Sequence, residues 1–308
     1  MKKQQKENIT TESCKWTCNS IPDLSGRIAI VTGGNAGLGF QSALELSRRG
    51  ATVVIACRDT ERGQAAVSSI KAMVPDAAPD TICLDLLNHE SIRLFAETFM
   101  EKYSRLDILL NNAGVVNLKT LKRDSLGNEM HMATNHFGHF ALTGRLFPLL
   151  KSTDSARVVT VSSISYKAGV IDFGDLAWER RKYSRAKSYG DSKLANLLFM
   201  AKLQERFQQT GVTALSVSAH PGLTGTERQQ TIGMGGIFAR VIASPIEKGC
   251  LPQLRAATDP SVKANDFYGP RFGLWGNPVL QKIKPGILDT TLAEQLWQVS
   301  EEKTGVSF

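Results

Sequence analysis

Short runs of aliphatic and β-branched residues alternate along this chain with longer stretches whose apolar positions recur every three or four residues. Ile28–Val31 reads as a buried strand, and 36–49 as a helix with Leu38, Leu44 and Leu46 spaced for one face. Thr52–Cys57 is the next strand, followed by a helix over 61–73 that Pro75 stops. Thr81–Leu84, a helix over 92–103 and a strand at 108–110 repeat the alternation, and Arg157–Val161, a helix over 188–209 and a strand over 212–218 carry it on. Strands that are apolar throughout, not on every second position, need cover on both faces, which a parallel sheet between helical layers supplies. Right-handed crossovers then give a doubly wound α/β fold of three layers, with ligands at the C-terminal ends of the strands. No internal repeat or linker interrupts 25–308, so a single domain is expected there. Residues 1–24 are rich in Lys, Gln, Thr and Asn and read as a polar, flexible tail.

The first strand leads into Thr32-Gly-Gly-Asn-Ala-Gly-Leu-Gly39 and then into a helix. Gly33 allows a tight exit from the strand, Gly37 lets the backbone approach a pyrophosphate, and Gly39 permits close helix–strand packing. Backbone N–H groups at the helix start then face the anion. The second strand ends in Ala56-Cys57-Arg58. A site selective for NAD(H) needs a carboxylate here to accept hydrogen bonds from the adenosine ribose. Cys57 stands in that place and Arg58 follows, and a guanidinium pairs with a 2′-phosphate that a carboxylate would repel. NADP(H) is therefore preferred over NAD(H); Asp59 is the competing group if the strand end shifts.

Tyr189 and Lys193 lie four apart in a helical pattern, so they share a face. A phenol ordinarily has a pKa near 10. An adjacent ammonium and a positive nicotinamide ring are expected to lower it enough to exchange a proton with a carbonyl or alcohol oxygen.

The glycine turn with its preceding Thr32, Asn111-Asn-Ala-Gly114, Tyr189-Gly-Asp-Ser-Lys193 and Pro221-Gly222 occur in an order that resembles the short-chain dehydrogenase/reductase family, over most of 25–230. The resemblance implies a Rossmann-type sheet and a nicotinamide cofactor. It also implies catalysis by Tyr189, Lys193 and a serine matched by Ser163, with Ser162 competing. Asn135 would hold a water near Lys193. Asn35 and Leu38 would complete the contacts of the glycine turn, Asp85 and Leu86 would sit against the adenine, and Asn112, Ala113 and Gly114 would line the ribose side. Pro221, Gly222 and Thr226 would lie by the nicotinamide, with Thr224 competing for the role of Thr226; Tyr189 and Lys193 also contact the cofactor. Family habit implies a homodimer formed through the central helices.

Ser163 and Tyr189 are 26 positions apart, about twice the interval in compact members of the family. With the string Asn135-His-Phe-Gly-His139, that interval is similar to the retinol dehydrogenase and light-dependent protochlorophyllide reductase branch. Gly233–Ile242 is an apolar run broken by glycines, and a substrate lid is expected around 223–246. Its content favours a lipophilic ketone or aldehyde, or the corresponding alcohol, as the substrate. Two other readings stand beside this one: a light-driven reductase of a tetrapyrrole, and a non-catalytic NADP(H)-sensing interaction protein on the same scaffold.

Charge and composition change this picture little. Hydrophobic residues at 42% and charged residues at 21% are ordinary globular usage. Lys and Arg number 37 against 29 Asp and Glu, a net charge of +8 that suits a phosphate-rich ligand, while no basic helix or aromatic string points to nucleic acid. No apolar stretch reaches eighteen residues, and five scattered cysteines form no disulfide framework, so a reducing cytoplasm is the simplest location. His131, His136 and His139 have no acidic or thiol partner at ligand spacing, so no metal is expected.

Overall fold

A computed structural model of the chain describes residues 15–224 and 244–308. Eight strands form one sheet in the order β3-β2-β1-β4-β5-β6-β7-β8. β1 (Ile28–Thr32), β2 (Thr52–Cys57), β3 (Asp80–Cys83), β4 (Ile108–Asn111), β5 (Arg157–Val161), β6 (Leu215–Ala219) and β7 (Phe267–Pro270) are parallel. β8 (Pro278–Leu280) closes the edge antiparallel to β7. The chain reverses its direction of winding between β1 and β4, which opens a crevice at their C-terminal ends.

Alternation along each strand divides the core between the two faces of the sheet. Ala29, Val31, Val53 and Ile55 pack with Ala43, Leu44 and Leu46 of α1 (Gly37–Arg48) and with Val67 and Ile70 of α2 (Thr60–Met73). Ile30, Val54, Leu109 and Val158 face the other layer. There they meet Phe95 and Phe99 of α3 (His89–Lys102), and a helical stretch that begins as α4 (Met130–Met132), passes through a π-helical turn at Ala133–Phe137 and continues as α5 (Gly138–Arg145) and α6 (Phe147–Ser152). The long α7 (Arg185–Gln209) completes that layer with Phe199, Leu203 and Phe207. α8 (Leu251–Thr258) covers the first face, and Trp297 of α9 (Thr290–Thr304) the second.

This is the expected three-layer architecture, with element ends displaced by a few residues: α7 starts at Arg185 and β6 at Leu215. The tail expectation fails over 16–24. Trp16, Ile21 and Leu24 are 8%, 2% and 6% exposed and belong to the core on the α1 face. The Leu24 N–H donates to the Arg49 carbonyl at 2.7 Å, and the Arg49 guanidinium donates to the Cys18 carbonyl at 2.9 Å, so this segment is held to the end of α1. Residues 1–14, Thr226 and positions 225–243 of the expected lid lie outside the described residues.

Candidate active site

A cavity of about 550 Å³ opens at the C-terminal ends of β1, β4 and β5. Gly33 and Asn35–Gly39 form one wall, Asn112–Val116 the next, and Tyr189, Lys193, Pro221 and Thr224 the far side. Gly33 leaves β1 with φ +65°, a conformation that disfavours side chains with a Cβ. A Cβ on Gly39 would lie 2.3 Å from the Gly33 carbonyl oxygen and 2.6 Å from the Asn112 side-chain nitrogen, so the start of α1 packs against the turn and Asn112 with no room for a side chain. Ala36 precedes α1 in extended conformation and no side chain caps the helix, which leaves its positive end to the cavity. These features fit a dinucleotide pyrophosphate.

Lys193 is 4% exposed, and its ammonium donates to the Val161 carbonyl at 2.9 Å. Burial alone pushes it down from its ordinary value to about 7. Its Nζ lies 5.5 Å from the centre of the Tyr189 ring. Burial drives the phenol up to about 12, against a smaller downward pull from its hydrogen bond with Ser163. The expected acidic phenol is therefore not produced by the protein's own charges: Lys193 donates to a backbone carbonyl, and dehydration favours the neutral form of both groups.

Ser162 and Ser163 are separated by their partners. The Ser162 hydroxyl lines the cavity but is buried and donates to the Lys193 carbonyl at 2.8 Å, while Ser163 Oγ donates to Ser165 Oγ at 3.3 Å, accepts the Ser165 N–H at 3.3 Å and lies close enough to Tyr189 to pull its phenol down.

Asn135 sits in the π-helical turn, fully buried. Its side chain accepts from the Val115 N–H at 2.8 Å and donates to the Val115 carbonyl at 3.1 Å and to Ser192 Oγ at 2.9 Å. These bonds fix the Asn135 side chain between Val115 and Ser192. A Cβ on Gly114 would lie 2.9 Å from Asn135 Oδ1 and 3.8 Å from Lys193 Nζ, so the three residues converge.

Several residues expected at the cofactor do not line this cavity. Arg58 is exposed beyond β2 and does not line the cavity, whereas Arg62, one turn into α2, does. Asp59 caps α2 through the Arg62 N–H at 3.0 Å and lies 3.5 Å from the Arg62 guanidinium, which leaves the competing carboxylate engaged. Asp85 accepts from the Leu87 N–H, and Leu86 is buried against Gly138; neither lines the cavity. Gly222 (φ +70°) packs on Leu274 and Pro270 instead of facing inward. Val115, Val116 and Arg62 are lining residues that no motif marked, and Ile246, at the end of the expected lid, also lines the cavity.

The long interval before Tyr189 is pinned by polar contacts. Asp175 accepts from the N–H groups of Glu179, Arg180 and Arg181. Arg181 reaches Asp191 on α7 at 3.0 Å and lies 3.7 Å over the Trp178 ring. The Tyr183 hydroxyl donates to the Leu118 carbonyl at 3.1 Å. Behind Tyr189, the buried His131 has its Nδ1 3.0 Å from Glu129 and 2.9 Å from Ser188 Oγ, with its ring 5.7 Å from the phenol ring. His136 meets Ser300 Oγ at 2.8 Å in an aromatic cluster with Phe140 and Phe199.

A family model described as short chain dehydrogenase matches residues 27–235. The chain is 36% identical over 293 residues to human (Homo sapiens) retinol dehydrogenase 13, covering 94% of this chain and 88% of that protein. It is 38% identical over 297 residues to mouse (Mus musculus) retinol dehydrogenase 12, covering 94% and 90%. Among solved structures, an uncharacterised protein from Mycobacterium paratuberculosis superposes with a TM-score of 0.80 at 36% identity, over 96% of this chain and 99% of that one. A short chain dehydrogenase from Shigella flexneri complexed with NADP superposes with a TM-score of 0.63 at 25% identity, over 79% and 96%.

Proposed function

The chain belongs to the short-chain dehydrogenase family, and from that premise we propose that it is an NADP(H)-dependent oxidoreductase acting on a lipophilic ketone or aldehyde, or on the corresponding alcohol. The observation that carries this reading is that Tyr189 and the buried Lys193, whose Nζ lies 5.5 Å from the phenol ring, share the cavity with the glycine turn, with Ser163 near enough to pull the phenol down. Similarity to retinol dehydrogenases supports a lipophilic substrate.

The uncapped start of α1 and the bare backbone of Gly33 and Gly39 would hold the pyrophosphate, and Asn112–Gly114 with Lys193 the ribose next to the nicotinamide. When bound, the nicotinamide supplies or accepts a hydride. Tyr189 then delivers a proton to the carbonyl oxygen, and Ser163 holds that oxygen by a hydrogen bond. A phenol kept protonated up to about 12 is in the form that donates, so the protein's own groups are poised for reduction. Lys193, at about 7, passes between ammonium and amine near neutrality and can return a proton to the phenol side.

Arg62 at the cavity wall and the absence of a carboxylate at Cys57 favour the 2′-phosphate of NADP(H). Cys18, Cys57, Cys83 and Cys250 are free thiols, in keeping with a reducing cytoplasm. Among the described residues no helix is long and apolar enough to cross a membrane.

The test is NADPH and NADH consumption across a panel of lipophilic ketones and aldehydes, with binding of each nucleotide measured separately. Turnover with NADPH on part of the panel is expected. Nucleotide binding without turnover on any carbonyl would replace this reading with a sensing protein.

A further inference from the structure

His139 lies one helical turn beyond Asn135 and is 1% exposed. Its Nδ1 is 3.1 Å from the Asn135 carbonyl oxygen, and its Nε2 is 2.9 Å from Thr32 Oγ1 at the end of β1. A carbonyl only accepts, so Nδ1 carries the hydrogen. Burial, chiefly, holds the imidazole down at about 4, so at neutral pH it is uncharged and Nε2 is an acceptor. The Thr32 hydroxyl must then donate its single proton to Nε2 in preference to the Leu110 carbonyl at 3.3 Å. Both of its lone pairs are left to accept the N–H groups of Asn112 at 2.9 Å and Ala113 at 2.8 Å. The Asn112 side chain donates back to the Thr32 carbonyl at 2.8 Å. A second path runs alongside: Asn111 Nδ2 donates to Thr143 Oγ1 at 3.2 Å, and Thr143 donates to the His139 carbonyl at 2.7 Å.

We infer that His139 is a positioning residue that locks the cofactor cradle to the π-helical turn of Asn135, so that the segment 111–114 and the turn 133–137 move as one body. The imidazole is suited to this because it donates at one edge and accepts at the other, adding to the bonds between the Asn135 side chain and Val115 a separate link from the turn to Thr32 and so to the N–H groups of Asn112 and Ala113. A leucine would fill the space and break both links, whereas a glutamine would offer its amide oxygen to the Thr32 hydroxyl. The meaning of the lock for catalysis rests on the proposed dehydrogenase reading; the lock itself is a property of the folded chain.

The experiment is amide hydrogen exchange on the full chain without nucleotide, together with NADPH binding, for wild type, His139→Leu, His139→Gln, Thr32→Val and the Thr32→Val/His139→Leu pair. His139→Leu is expected to speed exchange about tenfold in both 111–116 and 133–142 and to weaken NADPH binding about tenfold, although His139 does not line the cavity. His139→Gln should recover NADPH affinity to within about threefold, and the pair should be no looser than Thr32→Val alone. Faster exchange confined to 133–142, or losses that multiply in the pair, would overturn the inference. If His139→Leu does not fold, Thr32→Val decides: it must loosen 133–142 across the link, and unchanged exchange there overturns the lock. A wild-type chain that binds no NADPH but shows the linked exchange would remove the dehydrogenase reading and leave the lock standing.

Discussion

The two ends of the parallel sheet bury charge in opposite ways. At the N-terminal end, the Asp107 carboxylate is 3% exposed and fully answered: Arg27 at 2.7 Å, Arg105 at 2.6 Å and the Ile28 N–H at 2.9 Å. Burial would raise its pKa, but these partners outweigh it and hold the carboxyl below its usual range. At the C-terminal end, Lys193 is 4% exposed with a backbone carbonyl as its hydrogen-bond acceptor, and dehydration pushes it down to about 7. Equal burial thus gives a settled charge at one end and an unsettled one at the other. Where every bond is made, the group serves stability; where the charge has no counterion among the described residues, its protonation state is more easily changed.

The contrast can be broken most directly at Asp107. Asp107→Ala removes the acceptor for two guanidinium groups and strands the Ile28 N–H, and is expected to lower the unfolding free energy by about 3 kcal/mol in urea titration. Turnover measured well below the melting temperature should stay within about twofold of wild type. A stability change under about 0.5 kcal/mol would mean the pairing is ornamental.

Lys193 should respond with the opposite sign. Its amine titrates near 7 when folded and near 10.5 when unfolded, so between those values the unfolded chain holds the extra proton and stability rises with pH. Below pH 7 the full penalty of burying a cation is present. Lys193→Met should therefore be more stable than wild type at pH 6, by on the order of 2 kcal/mol, with the gain shrinking as pH rises from 7 toward 10. A variant less stable than wild type at pH 6 would show that the bond to Val161 outweighs the dehydration of the charge.

A smaller effect is expected at Arg62, on the same end but largely exposed at 74%. Arg62→Ala should weaken NADPH about tenfold, equivalent to about 1.4 kcal/mol, and leave NADH unchanged. Equal loss for both nucleotides would separate the guanidinium from the 2′-phosphate.

Much of this molecule was legible in its sequence, for identifiable reasons. β1, β2, β4 and β5 are dominated by β-branched and aliphatic residues, as strands covered on both faces require, whereas Asp80–Cys83 and Leu215–Ala219 carry polar positions. Phe267–Pro270 and Pro278–Leu280 carry glycine or proline in three- or four-residue strands, so composition hides them at the sheet edge. Trp16, Ile21 and Leu24 are single anchors among polar neighbours, a pattern that resembles a tail until the end of α1 is seen beneath it. In the site, Tyr189, Lys193 and the glycine turn announce themselves by spacing. The choice between Ser162 and Ser163 depends on which side of a strand end each hydroxyl takes, and a one-residue slip reverses it. Arg62 was missed because it reaches the cavity from within α2 and not from the end of β2. The π-helical turn at Asn135 changes backbone pairing without any change in residue pattern, so periodicity does not reveal it.

The central claim is that the Tyr189 phenol transfers the proton beside a bound nicotinamide. It is tested by comparing wild type and Tyr189→Phe in parallel, reading NADPH dissociation constants and single-turnover rates on a carbonyl the wild type reduces. The account predicts dissociation constants within about threefold of each other and a rate lowered by at least about a hundredfold. A Tyr189→Phe rate within a factor of a few of wild type would contradict it.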